Sequence, residues 1–291
     1  MTNLRGPVAA IAGAALFLLG ACARPASDPT GRDAGASGAE KPAGSELVLR
    51  VRQEGGFVPP EQIAGRIPMV SVYADGRVIT EGPVVAIYPG PAMPNVQMQR
   101  IEEDKVAELA DRAVAAGVRS ATDLGRPAVA DAPTTRIDVV TAGGTQSVSV
   151  EALNEATLDD PMLTEPQKAA RAELAAFVRE LTDLRDASES ETYPVQTMAA
   201  LAQPYHKPND GLPEQPRPLA WPGPALPGEH LDPNIEIGCV VASGAELDEI
   251  MAAVADANMN TPWSSGGKQY RVTFRPLLPD ETGCEDLRSA R

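Results

Sequence analysis

Histidine, cysteine, aromatic residues and long apolar runs are all scarce in this chain of 291 residues. Its two histidines, His206 and His230, both fall in a proline-rich stretch. A Ser/His/Asp hydrolase needs an imidazole oriented by a carboxylate and reaching a nucleophile, and no Gly-x-Ser-x-Gly elbow is present to supply one. Nucleotide-binding strings are missing as well: no Gly-x-x-x-x-Gly-Lys-Ser/Thr occurs, and no Gly-x-Gly-x-x-Gly follows a strand pattern. Basic residues number 25 against 40 acidic ones, a net charge of -15. That balance disfavours nucleic acid and peripheral attraction to anionic lipid. The most apolar run, Val8–Leu19, is about a dozen residues, whereas a membrane-spanning helix needs roughly 20. A permanent transmembrane anchor is therefore not expected.

That short run has a different reading. Arg5 precedes it and small residues follow, the layout of an export signal. Leu19-Gly20-Ala21-Cys22 resembles the lipobox of bacterial lipoproteins, with an apolar residue, two small ones and the cysteine that becomes the new N-terminus. The resemblance implies cleavage by signal peptidase II between Ala21 and Cys22, and a diacylglyceryl thioether on Cys22. The alternative is an ordinary secretory signal cut near Ala21–Ala23, with the cysteine incidental. Two acyl chains suffice for stable anchoring. The expected location is the outer, extracytoplasmic face of the cell membrane. Loss of residues 1–21 removes Arg5 and leaves a charge of about -16.

With Cys22 assigned, Cys239 and Cys284 remain, an even pair in an exported chain, which reads as one disulfide. A loop of about 46 residues corresponds to roughly 4 kcal/mol in the chain-entropy picture. A zinc site is the weaker alternative, since the two cysteines have no nearby histidine, and no metal or cofactor is expected.

Residues 22–45 are Pro/Gly/Ala/Ser-rich without an apolar period, a flexible tether with a span on the order of 25 Å. Folded sequence begins at Glu46. Leu47, Leu49 and Val51 alternate with Val48, Arg50 and Arg52 as in a strand. Met69–Tyr73 and Arg77–Thr80 flank Ala74-Asp75-Gly76, a hairpin signal. Val106, Leu109, Ala110, Ala113 and Val114 recur at helical spacing, with Gly117 as the stop. A second hairpin is expected over Thr134–Val150. A second helix opens with the capping box Thr164-Glu-Pro-Gln167 and turns Leu174, Phe177, Val178 and Leu181 inward. Residues 46–186 thus form an α+β domain, an antiparallel sheet of hairpins with two packed helices. Residues 187–233 carry ten prolines between Pro194 and Pro233, which reads as an extended connector without long helices or central strands, with room for one short element at Met198–Tyr205. Residues 234–291 read as a small disulfide-linked β-α-β unit: a strand at Ile235–Val241, a capping box at Ser243–Glu246, a stripe of Leu247, Ile250, Met251 and Val254, and a strand at Gln269–Arg275.

Four strings, Gly55–Pro60, Val72–Val78, Asp131–Thr135 and Arg275–Glu281 through Cys284, resemble a family of uncharacterised secreted lipoproteins of actinobacteria. The likeness spans nearly all of the mature chain. It implies a compartment and an architecture, and no activity.

The most enzyme-like string is Ser265-Gly-Gly-Lys268, which has the spacing of acyl-serine enzymes; its two glycines favour a turn over the helix start that chemistry requires. Acidic groups at Asp159-Asp160, Glu189–Glu191 and Asp280-Glu281 read as solvated loops. Trp221 and Trp263 could stack on a sugar, but read better as anchors for the proline-rich segment. The leading expectation is a non-catalytic envelope protein that binds or scaffolds a protein, lipid or wall partner. Two alternatives stay open: an envelope hydrolase or acyl-transferase using Ser265 and Lys268, and a carrier for a lipid or small solute.

Overall fold

A computed structural model describes residues 46–157, 159–187, 189–211, 216–232 and 235–288. Ala21, Cys22 and the tether lie outside the described residues. Strand β1 (Leu47–Glu54) sends Leu49 and Val51 to one face and Arg50 and Arg52 to the other. A one-turn helix α1 (Pro60–Ala64) leads into the hairpin of β2 (Val70–Tyr73) and β3 (Arg77–Glu81). Gly76 turns that hairpin at φ +82°, and a Cβ there would collide with the carbonyl oxygen of Ile101, so only glycine fits. Strand β4 (Val96–Arg100) precedes helix α2 (Glu103–Ala115). The α2 helix buries Val106, Leu109 and Ala113, while Val114 points to solvent. It ends as expected at Gly117, whose φ is +100°, with Val118 N–H donating to the Ala113 carbonyl.

Strands β5 (Thr134–Thr141) and β6 (Gly144–Glu151) form the second hairpin, followed by helix α3 (Glu165–Ala187). Half of the α3 capping box is made: Thr164 N–H donates to Gln167 Oε1 at 2.9 Å. A short β7 (Glu191–Thr192) closes a seven-stranded, wholly antiparallel sheet in the order β6-β5-β1-β2-β3-β4-β7.

The second sheet corrects the reading of residues 187–233. That segment supplies β8 (Thr197–Pro204), β9 (Leu219–Ala220) and β10 (Glu229–Asp232), and β8 is a central strand. Its partners come from the C-terminal part: β11 (Ile235–Ser243), β12 (Trp263–Ser265) and β13 (Lys268–Pro276), joined by helix α4 (Gly244–Val254). The order is β10-β11-β8-β13-β12-β9, antiparallel except for β9 beside β12. Strands β11 and β13 of the expected β-α-β unit are therefore parallel but separated by β8. Proline does not forbid this strand because Pro194 lies before it and Pro204 is its last residue. Everything from Met198 to Ala202 is buried, on both faces. Ser243 makes no side-chain cap to α4, so the capping box expected there does not form, and Met251 is exposed.

These elements stack in layers. Helices α2 and α3 cover the Leu49, Val51, Val72 and Ile137 face of the first sheet. Its other face, with Tyr73, Ile79 and Met98, meets Tyr193 and Leu278. Leu277, on the same C-terminal segment, packs on Leu201 and Cys239 of the second sheet. The α4 helix closes the far side over Met198, Ala200 and Phe274. A disulfide joins Cys239 on β11 to Cys284 on a 3-10 turn (Cys284–Leu287). Replacing both cysteines by alanine should lower the unfolding free energy by about 2–4 kcal/mol. The drop would be read as an earlier urea midpoint; an unchanged midpoint would show that the crosslink carries no stability.

Candidate functional site

Two places concentrate chemistry. The first is a polar seam between the sheets. Arg50, on β1, is buried and donates bidentately to Asp280, at 2.7 and 3.0 Å. Its Nε donates to Ser71 Oγ at 3.0 Å, and Tyr73 O–H donates to Asp280 Oδ1 at 2.7 Å. The neighbouring Glu281 holds Arg275 of the second sheet at 2.8 Å and accepts from Leu278 N–H at 2.8 Å. Asp280 and Glu281 are thus not solvated loop residues: their side chains are 15% and 7% exposed. Burial alone would raise the Asp280 pKa, but the Arg50 charge and the hydrogen bonds from Arg50 and Tyr73 outweigh it and hold the carboxyl below the usual range. Burial, aided by the Asp280 charge, pushes the Tyr73 hydroxyl far up, so it stays protonated and donates.

A cleft of about 540 Å³ opens beside this seam, between α1, the end of β1 and residues 275–288. Its arginines are already engaged. Arg52 pairs with Glu54, Arg288 with Glu285, and Arg66 donates to the carbonyls of Gln53 and Gly55. A cleft whose arginines are so engaged is a structural groove, and its charged lining is unsuited to a lipid chain.

The second place is the loop from Gly82 to Asn95, between β3 and β4. Val84, Val85, Ile87 and Tyr88 are 72%, 56%, 62% and 56% exposed. Solvated apolar side chains gathered in one short loop mark an interaction site more often than single exposed ones do. The loop is nevertheless held in shape. At its base Gly82 N–H donates to Asn95 O, and Asn95 Nδ2 donates to Pro83 O at 3.0 Å. At its far shoulder Tyr88 O–H donates to Asp210 at 3.0 Å and accepts from Asn260 Nδ2 at 3.1 Å, while Met259 N–H donates to Gly90 O. Ala92 and Met93 pack on the core beneath α4. Prolines 83, 89, 91 and 94 restrict the chain between these fixings. The sequence carries a signal for this loop that the periodicity reading passed over: no charged residue occurs between Glu81 and Arg100.

The other sequence candidates are placed apart. Ser265 and Lys268 flank the turn of the β12–β13 hairpin, with Gly266 and Gly267 both at positive φ, and Ser265 Oγ accepts from Leu226 N–H at 3.1 Å. The pair does not sit on a helix start. His206, in the loop after β8, and His230, on β10, are both exposed. Trp221 and Trp263 are buried edge to face at 5.6 Å, with Trp221 Nε1 donating to Pro224 O, so they anchor the proline-rich segment as expected. Asp160 is buried and accepts from Ala128 and Met162 N–H groups, a loop-fixing role. Among the described residues no group of three or more His, Cys, Asp or Glu is gathered to hold a metal, and no helix is long and apolar enough to cross a membrane.

Asp280→Asn should cost about 3–5 kcal/mol at neutral pH, because Arg50 would stay buried without its counter-charge. Since the folded-state pKa is depressed, the stability Asp280 contributes is in place above the unfolded value of about 3.9 and is lost as pH falls through the folded one. The stability gap between the two proteins should therefore narrow as pH falls below about 4; a gap that stays constant from about pH 7 to pH 2 would contradict this. No family model, curated protein or solved structure matches this chain, and the geometry of the loop and the seam is what a functional reading stands on.

Proposed function

We propose that this chain is an exported lipoprotein, held on the outer face of the cell membrane through Cys22, whose folded part is a non-catalytic binding or scaffolding module of the envelope. The observation that carries the binding role is the Gly82–Asn95 loop, where exposed Val84, Val85 and Ile87 are held out on a fixed backbone. A surface held in shape before contact loses less entropy on binding, which is how a small apolar patch becomes useful. The compartment is supported by the Cys239–Cys284 disulfide, since such bridges persist in oxidising surroundings. The lipobox at Leu19–Cys22 and the likeness to actinobacterial secreted lipoproteins belong to the same reading. The partner is a component of the envelope and not a nucleic acid, in keeping with the net charge of -15.

Metabolic labelling with a fatty-acid analogue tests the anchor. The wild-type chain should take up label and sediment with membranes, and Cys22→Ser should lose both; a Cys22→Ser chain that still incorporated label would overturn the reading. An active-site serine probe addresses the acyl-serine alternative: labelling of folded protein that is lost in Ser265→Ala would replace a binding role by a catalytic one.

A further inference from the structure

The register of the first sheet fixes where the apolar loop faces. The chain enters β1 at Leu47, which pairs with Tyr73, and the Glu46 carbonyl accepts from Ala74 N–H at 2.9 Å. The N-terminal connection therefore joins at the end where β2 turns into β3. The loop leaves from the other end, past the Glu81–Val96 pair. Strand β3 separates the two by about 16 Å at roughly 3.3 Å per residue. The loop base therefore lies at the end of the first sheet opposite to Glu46.

Three kinds of occupant would suit exposed valine and isoleucine: a bilayer, a second copy, or another protein. A bilayer is disfavoured by charge. Surface-inserting segments carry Lys or Arg around their apolar residues; here the run from Gly82 to Gln99 has no charge, and the chain as a whole is at -15. A second copy in a two-fold contact is disfavoured by shape, because it would present the same protruding loop and not a recess to receive it. Insertion into a groove on a different protein needs only a few side chains when they are the buried centre of the contact. The absence of charge favours a groove whose walls are themselves uncharged.

We infer that the Gly82–Asn95 loop docks Val84, Val85 and Ile87 into an uncharged apolar groove on another extracytoplasmic protein. This rests on the proposed export and anchoring, and it names the partner class that reading leaves general.

The test places photoreactive benzoylphenylalanine at Val85, at Ile87 and, as a control, at exposed Ala142 on the β5–β6 turn at the opposite end of the sheet. Irradiation is done in cells making the full chain. The expected result is one and the same protein adduct from Val85 and from Ile87, none from Ala142, and a loss of at least about tenfold when the other loop position carries V85E or I87E. Both side chains are exposed, so these variants should melt with wild type, which separates lost docking from lost fold. No adduct, an adduct with the mass of two copies, a phospholipid adduct, or one indifferent to V85E and I87E would overturn the inference. So would loop-dependent flotation of purified Cys22→Ser chain with phosphatidylcholine or phosphatidylglycerol vesicles. Fatty-acid labelling of the same cells keeps the two claims apart. Label without the adduct defeats docking alone, and the adduct without label defeats the anchor alone.

Discussion

Two adjacent carboxylates hold the folded part together. Asp280 takes Arg50 from the first sheet and Glu281 takes Arg275 from the second, so one turn of chain clasps a buried cation from each side. Arginine suits such a place because its planar fork meets a carboxylate with two parallel bonds, as Arg50 does with Asp280. Burial makes the clasp unforgiving, since removing one partner leaves a charge without solvent or counter-ion. Ser71 and Tyr73 satisfy further valences of the Arg50–Asp280 pair, and Tyr193 O–H donates to the Leu277 carbonyl nearby. The segment that carries these bonds also brings Leu277 and Leu278 to opposite cores, and Cys284 to its disulfide.

The rest of the architecture follows from that clasp. Helices α2 and α3 and the first sheet bury one filled core, and α4 with the second sheet buries another. Between the sheets, two smaller apolar clusters flank the Arg50–Asp280 and Arg275–Glu281 pairs. The apolar loop borrows rigidity from both halves: its base is tied beside β3 and β4, and its shoulder to Asn258–Asn260 and Asp210 next to the second sheet. Uncoupling the sheets would therefore also loosen the loop. In this account the fold keeps three aliphatic side chains in water without letting them collapse onto the core.

Much of the first sheet was legible in the sequence because its strands alternate and its turns carry Asp75-Gly76 and Gly143-Gly144. The helices were legible from spacing, and the disulfide from the count of cysteines. A short element at Met198–Tyr205 is readable, but the central place of strand β8 in a sheet is hidden for a physical reason. Buried on both faces, Met198–Ala202 has no alternation to betray a strand, and the surrounding prolines suggest a connector. The roles of Asp280 and Glu281 were hidden too, because an acidic pair near a chain end is ordinarily solvated and only tertiary contact brings Arg50 across 230 residues. Ser265 and Lys268 show the converse: a suggestive spacing produced by a hairpin turn. The loop carries the plainest signal of all, since its run of uncharged residues is visible without any structure.

Native-state hydrogen exchange tests most directly whether the clasp makes the two sheets one cooperative unit. Amides of Leu49 and Val72 in the first sheet and of Ala200 and Leu201 in the second should open with the same free energy and the same dependence on denaturant. A second sheet that opens separately, at lower free energy, while the first remains protected would contradict the account.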